Sequence, residues 1–329
     1  MFDKVLIANR GEIAVRINRA CQELGISTVA IHSEADSESM HVRIADESVC
    51  IGPNPVNKSY LNTHSIISAC EITGAQAVHP GYGFLSENSS FAKMLNDHKL
   101  TFIGPKASHI EAMGDKIQAK KMMKEFGVPT VPGSDKAIID ERDAINISEE
   151  IGFPVLIKAS AGGGGRGMKV VNNQKELSES LPIIKQEALS FFGSDSVYIE
   201  KFIDSPRHIE VQVICDMHGN FLHLHERDCS VQRRNQKVVE EALAPGIDDE
   251  KKEELFSICV KAMQSMGYLG LGTLEFLYEN GQFYFMEMNT RLQVEHPITE
   301  MLTRIDLVRE QICVASGERI FTNQENIKP

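Results

Sequence analysis

"KASAGGGGRGMKVV", residues 158–171, carries four glycines in a row between a lysine and an arginine. Glycine has no Cβ, so such a run can aim several backbone N–H groups at one anion. A flexible linker of similar composition would be flanked by serine and other polar residues. Here the flanks are FPVLIK (153–158) and MKVV (168–171), both apolar and strand-like. The stretch therefore reads as strand, glycine loop, strand, which is a hairpin and not a linker. No GxxxxGK[ST] is present and no helix follows directly, so it is not a P-loop.

Upstream, KVLIANRGEIAVRINRACQELGISTVAIHS (4–33) reads as strand, turn, helix, strand, with Gly25 ending the helix. That is a βαβ unit of a parallel sheet. SIISACEITGAQAVHPG (65–81) repeats helix then strand, and LTFIGP (100–105) supplies another buried strand. Residues 1–112 thus form a doubly wound, Rossmann-like α/β domain. A connecting helical segment, 113–130, leads through a proline-rich break to a smaller α+β unit at 131–203 that contains the glycine loop. Residues 204–329 hold two hairpins, one turning at 216–220 and one within GTLEFLYENGQFYFMEMNTRLQVEH (272–296), separated by a helix near 250–266.

Composition fits a soluble chain of two or three domains: 329 residues, 42% hydrophobic, 24% charged. A formal charge of −12 opposes non-specific nucleic-acid binding. Seven cysteines without a CxxC pair fit a reducing compartment and oppose a disulfide framework or zinc site. Charges at the N-terminus and the lack of a long apolar run predict a cytoplasmic protein without a membrane span.

The second hairpin carries the most chemistry. At strand period, Glu287, Asn289, Arg291, Gln293 and Glu295 share one face, and Glu275 lies on the neighbouring strand. A solvated strand face would show lysines; this one mixes acids, amides and an arginine. Glu275 and Glu287 can chelate a hard cation if both project to the same side. A strict two-residue turn at Asn280-Gly281 pairs Glu275 with Met286 and separates them, so the metal reading requires an odd-length loop. Lys116, Lys158 and Lys237 are candidates for an anion. YIEKFI (198–203) offers strand backbone to an adenine edge at the junction of two units.

These stretches together, ANRGEIA (8–14), HPGYGFLSEN (79–88), FIGP (102–105), MGDK (113–116), RHIEVQV (207–213), HERDCSVQRRNQKVVEEA (225–242) and EMNTRLQVEHPITEM (287–301), closely resemble the biotin carboxylase family, across essentially the whole chain. The resemblance implies an ATP-grasp fold: an N-terminal doubly wound domain, a mobile α+β lid and a C-terminal α+β domain that is incomplete here. It implies ATP- and bicarbonate-dependent carboxylation of biotin on a biotin carboxyl carrier protein, through carboxyphosphate, as the first half-reaction of acetyl-CoA carboxylase in fatty acid biosynthesis or of a related carboxylase. By motif, Lys116, Lys158, Gly163, Gly164, Gly165, Glu200, Lys201, Ile203, His208 and Gln232 would bind ATP. Glu275, Glu287 and Asn289 would bind Mg²⁺ or Mn²⁺. Lys237, Arg291, Gln293, Val294 and Glu295 would hold bicarbonate, with Glu295 as general base and Arg291 and Lys237 as its catalytic partners. Tyr82 and Gly83 would approach biotin. Carboxyltransferase subunits are the implied further partners. The chain also departs from the family pattern. Asn235 stands where a histidine is usual, and the sequence stops at Pro329, short of the family's usual length, which implies a weakened homodimer. Two alternatives compete: another ATP-grasp carboxylate–amine ligase, and a nucleotide-binding fragment without turnover.

Overall fold

A computed structural model of the chain describes residues 1–160 and 167–329. Its strands are β1 (Lys4–Ile7), β2 (Ser27–Ser33), β3 (Glu47–Gly52), β4 (Ala77–His79), β5 (Thr101–Phe102), β6 (Val155–Ala159), β7 (Met168–Val171), β8 (Val197–Lys201), β9 (Arg207–Cys215), β10 (Phe221–Arg233), β11 (Gln236–Ala242), β12 (Gly270–Glu279) and β13 (Gln282–Asn289). Among the described residues they form three sheets, ordered β3-β2-β1-β4-β5, β7-β6-β8 and β11-β10-β9-β12-β13.

The first sheet is wholly parallel. β1 and β2 are apolar on both faces, because helices cover both sides of the sheet. Ile13, Ala14 and Ile17 of the helix Gly11–Glu23 pack on one face, and Ile66 and Phe91 lie in the cluster on the other. Strand order reverses between β1 and β4, the switch point at which such sheets open a crevice beyond their carboxyl ends. Asn9 closes the base of that crevice by donating from Nδ2 to the carbonyls of Pro80 (2.7 Å) and Tyr82 (2.8 Å).

The small sheet is antiparallel, with β6 between β7 and β8. The strands flanking the glycine run therefore pair as a hairpin, while Gly163, Gly164 and Gly165 lie outside the described residues. The helix Gln174–Phe192 covers one face through Leu177, Leu181 and Ile184. β8 stops at Lys201, short of the Ile203 expected from its apolar pattern: Phe202 still donates across to the Pro154 carbonyl opposite it (3.2 Å), but a proline has no N–H to extend the ladder. At Gly133 the incoming chain crosses β8 so closely that a Cβ there would meet the Ile199 carbonyl oxygen at 2.3 Å.

The third sheet is antiparallel and carries the second large core, in which the helix Asp249–Met266 packs through Leu255, Phe256, Cys259 and Met263. All seven cysteines are free thiols. Among the described residues no helix is long and apolar enough to cross a membrane.

Candidate active site

The second hairpin corrects the register argument. Its turn is the strict two-residue Asn280-Gly281, with both residues at positive φ, and Glu279 pairs with Gln282. Glu275 nevertheless pairs with Glu287, because the register slips between Phe276 and Glu275 and leaves Met286 as an extra residue. A bulge does what an odd loop was required to do. The same ladder continues sideways: Glu275 pairs with Glu210 of β9, and Glu210 with Arg227 of β10. One lateral row of four strands thus reads Arg227, Glu210, Glu275, Glu287.

The alternation expected from Glu287 to Glu295 ends early. β13 stops at Asn289, and the Thr290 N–H leaves the ladder to donate to Glu87 Oε1 of the N-terminal domain (3.2 Å). The chain then turns into the helix His296–Thr303, which has Pro297 in its first turn. This turn, not a strand face, returns Arg291, Gln293, Val294 and Glu295 to the cleft, so Val294 sits on the same wall as its neighbours and is exposed.

The cleft, about 550 Å³, lies between the small sheet and the third sheet. Every described residue expected to bind nucleotide, metal or bicarbonate lines it: Lys116, Lys158, Glu200, Lys201, Ile203, His208, Gln232, Lys237, Glu275, Glu287, Asn289, Arg291, Gln293, Val294 and Glu295. Asn235 is there too. Tyr82 and Gly83 line a different cavity of about 270 Å³ at the switch point, with Asn9, Arg10, Glu12, Ile13 and Phe84.

Lys237 is the centre of the cleft. Its ammonium donates to Glu295 Oε1 at 2.5 Å, to Glu275 Oε1 at 3.1 Å, and to Glu210 Oε1. Burial opposes ionisation of Glu275, but His208 and Lys237 overcome it and hold its carboxyl well below the usual range. Burial likewise works against Glu295, and Lys237 again reverses the balance. Glu275 Oε1 also accepts from Asn289 Nδ2 (2.6 Å) and Gln293 Nε2 (2.8 Å). His208 Nε2 lies 3.1 Å from both Glu210 and Glu275. Across the ladder, Glu287 holds Lys116 at 2.8 Å. Two register-paired carboxylates and the Asn289 amide oxygen form a donor set of hard oxygens that fits a magnesium-type ion.

On the opposite wall Glu200 is buried and accepts from two lysines, Lys158 at 2.6 Å and Lys120. Burial penalises its charge, and the lysine pair outweighs that and keeps it ionised. Lys201 points its ammonium away, to the carbonyls of Gly152 (3.0 Å) and Phe153 (3.1 Å), leaving backbone at the cleft. The Ile203 N–H has no hydrogen-bond partner among the described residues, which leaves a donor for a flat ring edge.

Sequence reasoning missed Glu210, Arg227, Lys120 and Glu87. Glu210 carried a signal, since it is charged within an apolar strand pattern. Arg291 Nε donates to Glu87 Oε2 (2.8 Å), a contact that joins residues 204 positions apart and has no local sequence signature.

A doubly wound domain, a small antiparallel lid-like sheet and a larger antiparallel sheet enclosing a lysine- and carboxylate-lined cleft define the ATP-grasp class of ligases. Comparison with known proteins gives the family. Residues 1–110 match the family model "Biotin carboxylase, N-terminal domain", and residues 115–322 match "Carbamoyl-phosphate synthase L chain, ATP binding domain". The chain is 58% identical over 328 residues to a biotin carboxylase of Pseudomonas aeruginosa, covering 99% of itself and 73% of that protein. It is 53% identical to the propionyl-CoA carboxylase alpha chain of Ruegeria pomeroyi, spanning 48% of it. Among solved structures, the biotin carboxylase of Campylobacter jejuni in complex with β,γ-ATP superposes with a TM-score of 0.97 at 47% identity, with 100% of this chain and 74% of that one covered. The biotin carboxylase domain dimer of the Hydrogenobacter thermophilus 2-oxoglutarate carboxylase, solved with MgADP, ADP and bicarbonate, gives 0.96 at 52% identity, covering 100% and 72%. The chain belongs to the biotin carboxylase family, a family of ATP-dependent ligases.

Proposed function

We propose that this chain binds MgATP and bicarbonate in the large cleft and carboxylates biotin presented by a carrier protein. The observation that carries the reading is Lys237 held among Glu210, Glu275 and Glu295, beside the register pair Glu275 and Glu287, in one cleft with Lys116 and Lys158. Two anions that repel each other must meet, and these cations are the groups that make the meeting possible.

Adenine lies along β8, with the free Ile203 N–H as one donor. Lys158 has three N–H donors, so it can keep Glu200 and still reach a phosphate oxygen. When bound, the divalent cation neutralises phosphate charge between Glu275, Glu287 and Asn289. Bicarbonate sits against Lys237, Arg291, Gln293 and the Val294 backbone. Its negative charge draws Lys237 from the carboxylates that clasp it, which raises the basicity of Glu295 as the anion arrives. Glu295 then removes the bicarbonate proton so that an oxygen can attack the γ-phosphorus and form carboxyphosphate. Closure of the small sheet over the phosphates excludes water from that labile intermediate. Tyr82 and Gly83, at the switch-point cavity, receive the biotin ring.

The physiological setting follows the same reading: a cytoplasmic chain working with a biotin carboxyl carrier protein and a carboxyltransferase in fatty acid biosynthesis. One assay tests the chemistry. ADP release is expected to depend on bicarbonate and to rise with free biotin; release indifferent to bicarbonate sinks the proposal.

A further inference from the structure

Behind the cleft lies a charge that this scheme leaves unused. Arg227 is the largest fully buried side chain among the described residues and does not line the cavity. A bulge places it. Between His223 and Glu226 the β9–β10 register slips, with His225 at φ +63°, in the left-handed region uncommon for residues other than glycine. Regular pairing onward from His223 and Val213 would set Glu226 opposite Glu210; the slip sets Arg227 there instead.

All of its partners are acceptors. Nε and NH2 donate to Glu210 Oε2 at 3.3 and 3.0 Å, and NH1 donates to Gln212 Oε1 (2.7 Å) and Thr299 Oγ1 (2.9 Å). NH2 also reaches Thr273 Oγ1 (3.4 Å) and Gln293 Oε1 (2.5 Å). A guanidinium has no acceptor, so the Gln293 amide must turn its oxygen to Arg227 and its NH2 group toward the cleft, where it donates to Glu275. Glu210 is gripped from both ends, with Arg227 on Oε2 and Lys237 on Oε1. An amide without that guanidinium could flip, and Glu210 could rotate away from Lys237.

We propose that Arg227 is a positioning residue for the bicarbonate site, fixing the orientation of the Gln293 amide and, through Glu210, the seat of Lys237. This rests on the assignment of that site above. Arg227 touches none of the residues assigned to the nucleotide and reaches His208 and Glu275 only through Glu210 and Gln293, so its effect falls more heavily on bicarbonate than on the nucleotide.

The test is steady-state ADP release by the full chain. Arg227→Lys keeps the charge but loses the planar fork that spans Glu210 and Gln293. It is expected to raise the KM for bicarbonate about tenfold or more while leaving the KM for ATP within about twofold. On a Gln293→Ala background the same change should raise the bicarbonate KM by less than it does alone. An unchanged bicarbonate KM, a parallel rise in both KM values, or fully multiplicative effects in the double variant overturns the proposal. Should Arg227→Lys not fold, Thr299→Val loosens only the NH1 side at constant shape. A two- to threefold rise in bicarbonate KM is expected there (about half the energy of a neutral hydrogen bond or more), and a wild-type value again overturns it. A wild-type chain with no bicarbonate-dependent release overturns the functional reading itself, and this inference with it. Wild-type turnover with unaffected variants overturns this inference alone.

Discussion

Replacing Lys237 by methionine removes the one cation shared by three carboxylates while keeping the length of the side chain. With an effective dielectric near 20, a unit pair is worth about 7 kcal/mol at the 2.5 Å of Glu295 and about 5 kcal/mol at the 3.1 Å of Glu275. Desolvation of both ions offsets most of that gross attraction, and breaking a buried pair from one side typically costs about 3–5 kcal/mol net. For a domain of this size that is roughly a 10 °C fall in Tm. The pH dependence gives a sharper signature. In the wild type both carboxyls titrate below their ordinary value of 4.5, so their contribution is complete above that pH and is lost as pH falls through the lowered values. In Lys237→Met, burial loses its main opponent at Glu295 and one of its two opponents at Glu275, where His208 remains, so both carboxyls should titrate higher than in the wild type. Protonation then relieves the variant, and its Tm deficit should shrink as pH falls from about 7.5 to about 5. Scanning calorimetry at the two pH values, with bicarbonate-dependent ADP release lost throughout, is the measurement. A deficit that stays constant or grows on acidification would refute the clamp.

Glu295→Gln should retain nucleotide binding and lose about 10²–10⁴-fold in bicarbonate-dependent rate, since an amide cannot take the proton; undiminished turnover assigns the base elsewhere. Lys158→Gln should weaken ATP binding about ten- to a hundredfold by calorimetry, the loss of a charged hydrogen bond, and wild-type affinity removes it from the phosphate site. The Met286 bulge gives a paired test: inserting one alanine after Met286 should abolish Mg²⁺-dependent tightening of nucleotide binding by turning Glu287 away. Deleting Met286 should preserve it, because Glu287 then meets Glu275 in regular register. Equal behaviour of the two variants contradicts the register argument.

Local pattern carried a large part of this protein. Apolar runs broken by helical spacing from Lys4 to Ser33 foretold the parallel βαβ start, because strand and helix periods are properties of the chain itself. The flanks of the glycine run foretold the β6–β7 hairpin, and motif resemblance gathered fifteen described residues that do line one cleft. What the sequence could not settle was register. A bulge adds one residue to one strand with no mark in composition, and two of them, at Met286 and at His225, decide that Glu287 and Arg227 fall into the row of Glu210 and Glu275. Partners distant in sequence were equally hidden. Lys158 reaches Glu200 across the β6–β8 pairing, Lys120 reaches it from the helix Lys116–Glu125, and Glu87 meets Arg291 from a loop 204 positions away, so only the packing of separate elements brings these partners together. Charge is written in the sequence residue by residue, but pairing depends on distance, and distance belongs to the fold.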